Sequence, residues 1–134
     1  MGKSRIELGR YRLFDAREKL RGAEVLLRNS LFKESVARSY YAMFSAVRAL
    51  LAMEDLDSQK HSGVISLFNK HFVKSGMVSR DLGRLLLSAR DYREKGDYGD
   101  FVVVTRDEAE EQLLAAKRVI VEITEVIERE YPLG

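Results

Sequence analysis

The chain has 134 residues, the length of one domain. Its 23 lysines and arginines nearly balance its 21 aspartates and glutamates, and the formal charge of +2 excludes a strongly basic nucleic-acid coat protein and an acidic disordered tail. With 46% apolar residues, 33% charged residues and no cysteine, the composition describes a folded domain without disulfides, thiolate nucleophiles or cysteine-bound zinc.

In chain order, Ile6, Gly9, Leu13, Ala16, Leu20, Ala23 and Leu27 recur at spacings of three and four, which predicts a helix from Ser4 to Arg28. Its seam alternates large and small residues, so a partner helix can approach closely. From Lys33 to Met53, Val36, Tyr40, Met43, Val47 and Leu50 form one apolar stripe and Ala37, Tyr41, Phe44 and Leu51 the next. A helix apolar over so wide an arc belongs at the centre. A shorter amphipathic helix is expected from Ser62 to Lys74, ended by Gly76. Ser79 reads as the N-cap of a fourth helix carrying Leu82, Leu85, Leu86 and Ala89, which should fade before Gly96.

Phe101 to Val104 has strand propensity but nothing to pair with, and is read as an extended connection whose side chains patch the bundle. Thr105 and Glu108 form a capping box at the start of a last helix that carries Ala109, Leu113, Ala116, Ile120, Ile123 and Ile127 and runs to Glu130. The acidic residues after Thr105 suit the positive end of its dipole. The fold class that follows is all-α: one domain over residues 1–134, an up-and-down bundle of four to five helices with the long first and last helices paired. Residues 1–28 carry eight basic and four acidic side chains, and residues 105–134 the reverse, as neighbouring helices with complementary flanks would.

The longest apolar stretch, Val119 to Ile127, is broken by Glu122 and Glu125 and falls short of the roughly 20 residues that a membrane span requires. The N-terminus shows no signal-peptide pattern, so no membrane association and a cytoplasmic location are expected. Asn and Gln total four, which together with abundant charge suggests a thermophilic source; a melting temperature in the mesophilic range would overturn that expectation.

No phosphate-binding glycine loop, metalloprotease histidine pair or nucleophile elbow is present. His61 and His71 alone make no metal site, so neither metal nor cofactor is expected. His61 falls at a helix start, where an imidazolium is disfavoured and a capping or packing role fits; His71 falls at a helix edge. The Tyr40-Tyr41 and Met43-Phe44 pairs read as core, and Arg38 as a buried anchor for a carboxylate.

The densest polar run is Arg90-Asp91-Tyr92-Arg93-Glu94-Lys95-Gly96-Asp97-Tyr98-Gly99-Asp100. Arg90 and Arg93 share a helix face, and a backbone turn at Gly96 and Gly99 would return Asp97 and Tyr98 to their side. Paired guanidiniums suit a phosphate or nucleotide, with Arg90, Arg93, Asp97 and Tyr98 as the candidate binding residues. The alternative is that Arg90 or Arg93 pairs with Asp97 or Asp100 and simply caps the helix.

Three segments in order, Ala37-Arg38-Ser39-Tyr40-Tyr41-Ala42-Met43-Phe44, His61-Ser62-Gly63-Val64-Ile65-Ser66-Leu67-Phe68 and Arg93-Glu94-Lys95-Gly96-Asp97-Tyr98-Gly99-Asp100-Phe101, resemble the short, stand-alone prokaryotic branch of the HEPN domain family. The resemblance implies a helical bundle that dimerises and partners a minimal nucleotidyltransferase in a toxin–antitoxin pair. Active members are metal-independent ribonucleases in which an arginine is followed after four to six residues by a histidine, the two facing their counterparts across the dimer cleft.

Here six residues separate Arg90 from Asp97 and four separate Arg93 from Tyr98, and neither endpoint is histidine. The reading is therefore a homodimeric regulatory module that contacts nucleotide or RNA. The alternatives are a ribonuclease toxin with Arg93, Asp97 and Tyr98 as catalytic candidates, and a helical scaffold without a nucleotide site.

Overall fold

The computed structural model describes residues 2–132, apart from the side chains at positions 2, 3 and 98. Five α-helices follow one another: α1 (Gly2–Arg28), α2 (Phe32–Met53), α3 (His61–Phe68), α4 (Arg80–Tyr98) and α5 (Arg106–Glu130). A single π turn, Asn69–Val73, continues α3, and the described residues form no strand. No helix among them is long and apolar enough to cross a membrane.

The two-striped α2 lies at the centre, against α1, α3, α4 and α5, and fifteen of its 22 residues are buried. Arg5 donates to the carbonyl of Met53, Arg12 to that of Arg48, and Ser35 to that of Ala23 near the opposite end, so α1 and α2 form an antiparallel hairpin. The small residues of α1 permit this contact: a Cβ on Gly9 would lie 2.9 Å from the carbonyl oxygen of Ala49 and 2.5 Å from Met53 Cε. Ala16 and Ala23 are fully buried along the same seam.

The first and last helices also run side by side. Arg10, Arg17 and Glu24, seven apart on α1, meet Tyr131, Thr124 and Lys117, seven apart at the end of the chain, at 3.5, 3.2 and 3.7 Å. The ion pair in this ladder sets a base of α5 against an acid of α1, so the opposite net charges of the two helices are not cancelled through it. Arg118 of α5 reaches Asp81 and Glu122 reaches Ser79, which makes α4 antiparallel to α5 and completes an up-and-down bundle.

The capping box at α5 is complete, with both the Thr105 and Glu108 side chains bonded to the other residue's backbone. Ala109, Leu113, Ala116, Ile120, Ile123 and Ile127 are all buried.

Several boundaries differ from expectation. The third helix changes at Asn69 to i→i+5 bonding, the Lys74 N–H donating to the Asn69 carbonyl at 2.9 Å. Gly76, at φ +81°, ends it in the left-handed region. The hydroxyl of Ser79 does not cap α4 but donates to Glu122 at 3.0 Å. Helix α4 does not fade before Gly96; it runs through that residue to Tyr98. Of the connection after it, Val104 joins a small core cluster with Ala23, Leu27, Val36, Ala109 and Leu113, while Phe101 and Val103 are exposed.

Candidate functional site

The unbroken helix at Gly96 decides how the polar run is arranged. Asp97 reaches Arg93 by i,i+4 helical spacing, Oδ2 lying 3.2 Å from Nε, and not by a chain reversal. This is the ion pair that a purely structural reading of the run anticipates. It is electrostatic rather than a directed hydrogen bond, because the buried Nε of Arg93 makes none among the described residues. Arg90, one turn earlier, has its Nη2 3.8 Å from Asp91, and its Nε is likewise buried with no hydrogen-bond partner among the described residues. Both side chains are part-buried, exposed to 20% for Arg93 and 34% for Arg90. Tyr98 occupies the last turn of α4, and its side chain lies outside the described residues.

Because α4 packs on α2, the guanidinium of Arg93 lies over aromatic rings, 5.3 Å from the centre of Tyr41 and 6.0 Å from that of Tyr40. A cation over a ring face is held by the ring quadrupole, so the charge is positioned without being neutralised. Tyr41 is half-buried and serves as this platform, whereas Tyr40, Met43 and Phe44 are core, as the stripe pattern requires. Arg38 is not a buried anchor; it is exposed, with its stem beside Gly22.

His61 enters the same place from the first residue of α3. Its Nδ1 is 3.3 Å from the Tyr40 hydroxyl, and its ring centre is 4.2 Å from that of Phe44 and 6.1 Å from that of Tyr41. The packing role expected of this histidine is present. What the local sequence did not indicate is its company: Arg93 and His61 converge on the Tyr40-Tyr41 pair from two helices 32 residues apart in the chain. The available signal was the recurrence of Tyr40, Tyr41 and Phe44 on adjoining faces of α2, which needs an exposed partner for its outer edge. His71 lies in the π turn, exposed.

Burial and the nearby charges hold two groups of the cluster in their neutral forms. Burial, followed by the positive charges of Arg93 and Arg48, holds the His61 pKa below its ordinary value and favours the neutral ring. Burial raises the pKa of Tyr40 in spite of Arg93 and Arg90, so its hydroxyl keeps its proton. A protonated hydroxyl, a neutral imidazole and two under-bonded guanidiniums can together receive an anion and exchange a proton with it. No group of three or more metal-ligating side chains occurs among the described residues.

The topology is that of an all-α bundle, and comparison with known proteins identifies its class. The HEPN domain model matches residues 10–127, and the chain belongs to the HEPN domain family. It is 38% identical to a Thermotoga maritima protein named "UPF0332 protein" over 84% of this chain and 86% of that one. A Methanocaldococcus jannaschii protein, "Putative toxin MJ0605", is 40% identical over 62% of each chain. The fold matches that of TT1696 from Thermus thermophilus, with a TM-score of 0.75, 22% identity and coverage of 94% of this chain and 99% of that one.

Proposed function

We propose that this protein is the HEPN component of a toxin–antitoxin-like pair, a homodimer that contacts the phosphate of a nucleotide or RNA through Arg90 and Arg93 and associates with a minimal nucleotidyltransferase. The observation that carries this reading is the pair of part-buried guanidiniums one turn apart, each with a buried Nε that makes no hydrogen bond among the described residues. The exposed part of each guanidinium carries donors that phosphate oxygens can accept from in pairs. Asp97 occupies one side of Arg93, so an incoming phosphate would displace it from that guanidinium. The toxin name of a relative and the family resemblance support the pair and the dimer.

The test is a thermal melt with ATP and with short RNA. A ligand at 100 times its Kd raises stability by roughly 2.7 kcal/mol. The shift should be present in the wild type and lost in Arg93→Ala; a wild type that dimerises but does not respond to either ligand is a scaffold, and the reading fails.

The Tyr40–His61 contact favours a second reading, a metal-independent ribonuclease. In it Arg93 stabilises charge on the reacting phosphate and His61, instead of Asp97 or Tyr98, handles the proton. Incubation of structured RNA with the purified dimer in EDTA separates the two: cleavage abolished by both Arg93→Ala and His61→Ala supports the enzyme, and no cleavage at any pH excludes it.

A further inference from the structure

Between Asp57 and Asp81 the chain has no acidic residue, the longest such stretch in the sequence. It carries Lys60, Lys70, Lys74, Arg80 and both histidines. In a chain whose charges otherwise nearly cancel, this concentrates positive charge on α3, the π turn and the loop that follows. None of the four lysine and arginine side chains makes an ion pair or a hydrogen bond among the described residues, although the arginines of the neighbouring helices mostly do. They are free to meet an external anion.

Their arrangement is not scattered. Ser62, Ser66, Lys70 and Lys74 follow one another at intervals of four, are all exposed, and line an open groove of about 520 Å³ together with Ile65 and Asn69. In a continuous α-helix, positions four apart drift steadily around the axis. The wider π turn rotates less per residue and sets that drift back, which keeps Lys70 and Lys74 in line with the two serines. The groove begins beside His61, since its first lining residue, Ser62, follows that histidine directly and Ile65 is its i+4 neighbour.

We propose that this face of α3 and the π turn binds the phosphate backbone of single-stranded RNA and leads the strand to the His61 and Arg93 cluster. Lysines supply point charges for phosphates, and Ser62, Ser66 and Asn69 supply small polar groups for phosphate and sugar oxygens. No aromatic ring is among the described residues that line the groove, so it lacks the anchor that an acidic peptide would use. The destination of the strand rests on the functional reading above; the binding face does not.

The test is fluorescence anisotropy of a labelled 12-nucleotide single-stranded RNA between 50 and 200 mM salt, with wild type, Lys70→Gln/Lys74→Gln and Arg93→Ala. Each lost phosphate contact on a single strand reduces the slope of log K against log salt by about 0.7, so the double variant should lose about 1.4. Its circular dichroism and melting temperature should be unchanged, because both lysines are exposed, and Lys70→Arg/Lys74→Arg should restore binding. A double variant with the wild-type slope overturns the proposal, as does a polyglutamate peptide that competes as well as RNA of equal charge.

Reading the ATP melting shift on the same proteins separates this inference from the functional reading. A wild type that responds to ATP but shows no salt-dependent RNA binding overturns the binding face alone. Lysine-dependent RNA binding without any ATP response or effect of Arg93→Ala upholds the face and overturns the arginine site.

Discussion

At His61 the surrounding groups act in one direction. Packing against Phe44 and Tyr40 removes water from the ring, and Arg93 and Arg48 oppose a further positive charge, so the folded-state pKa lies below the ordinary 6.5. As pH falls past 6.5 the unfolded chain takes a proton at this position that the folded chain resists. Stability is therefore present above that pH and lost between it and the folded-state pKa. Melting temperature should fall more between pH 7.5 and 5.5 for the wild type than for His61→Gln; equal losses would mean that the ring is not perturbed. Asp57 and Glu108, whose pKa values are lowered by hydrogen bonds and by nearby bases against the opposing effect of burial, lose their contribution only at more acidic pH, so the two effects are separable. Arg90, Arg93 and Asp97 could be singled out from sequence because their spacing is local. The meeting of His61 with Arg93 could not, since it depends on how the start of α3 and α4 both pack on the middle of α2, and no spacing within either segment encodes that packing.

The elements were legible wherever a repeating seam or a cap marked them. The α1 stripe, the two stripes of α2 and the Thr105 capping box each correspond to an observed feature, because each is decided within one or two turns. Gly96 lowers helix propensity by about 1 kcal/mol relative to alanine, but the Arg93–Asp97 pair straddles it and the helix continues. The π turn has no composition of its own and shows only as a shift of register. Gly9 offers an element-scale test. A larger side chain there must push against the Ala49 backbone as well as Met53, and overpacking of this kind costs about 1–3 kcal/mol. Gly9→Val should lower the urea midpoint with little change in slope, whereas Gly22→Val, with only the flexible Arg38 stem nearby, should be milder. Equal effects would show that the α1–α2 approach is not tight at Gly9.

For the whole molecule, the bundle was legible because a chain whose single proline, Pro132, lies beyond the last helix, with helical periodicity and no strand partner, leaves few alternatives. The pairing of its ends was legible in outline only: the ladder between α1 and α5 rests on hydrogen bonds as much as charge, and α1 gives its seam chiefly to α2. That ladder has a kinetic consequence. Its contacts join residues 107 and 121 positions apart, while the α1–α2 hairpin closes through a three-residue connection. Loop closure favours the local hairpin first, so docking of α5 should follow the main folding barrier. Ile123→Val, a fully buried change worth about 0.5–1.5 kcal/mol, should then appear almost wholly as faster unfolding with refolding unaltered. A slowed refolding limb would instead place α5 in the nucleus. If α5 docks late, the length of time the bundle stays shut is set by its last helix, and changes along the ladder can tune how often the chain opens without altering how fast it folds.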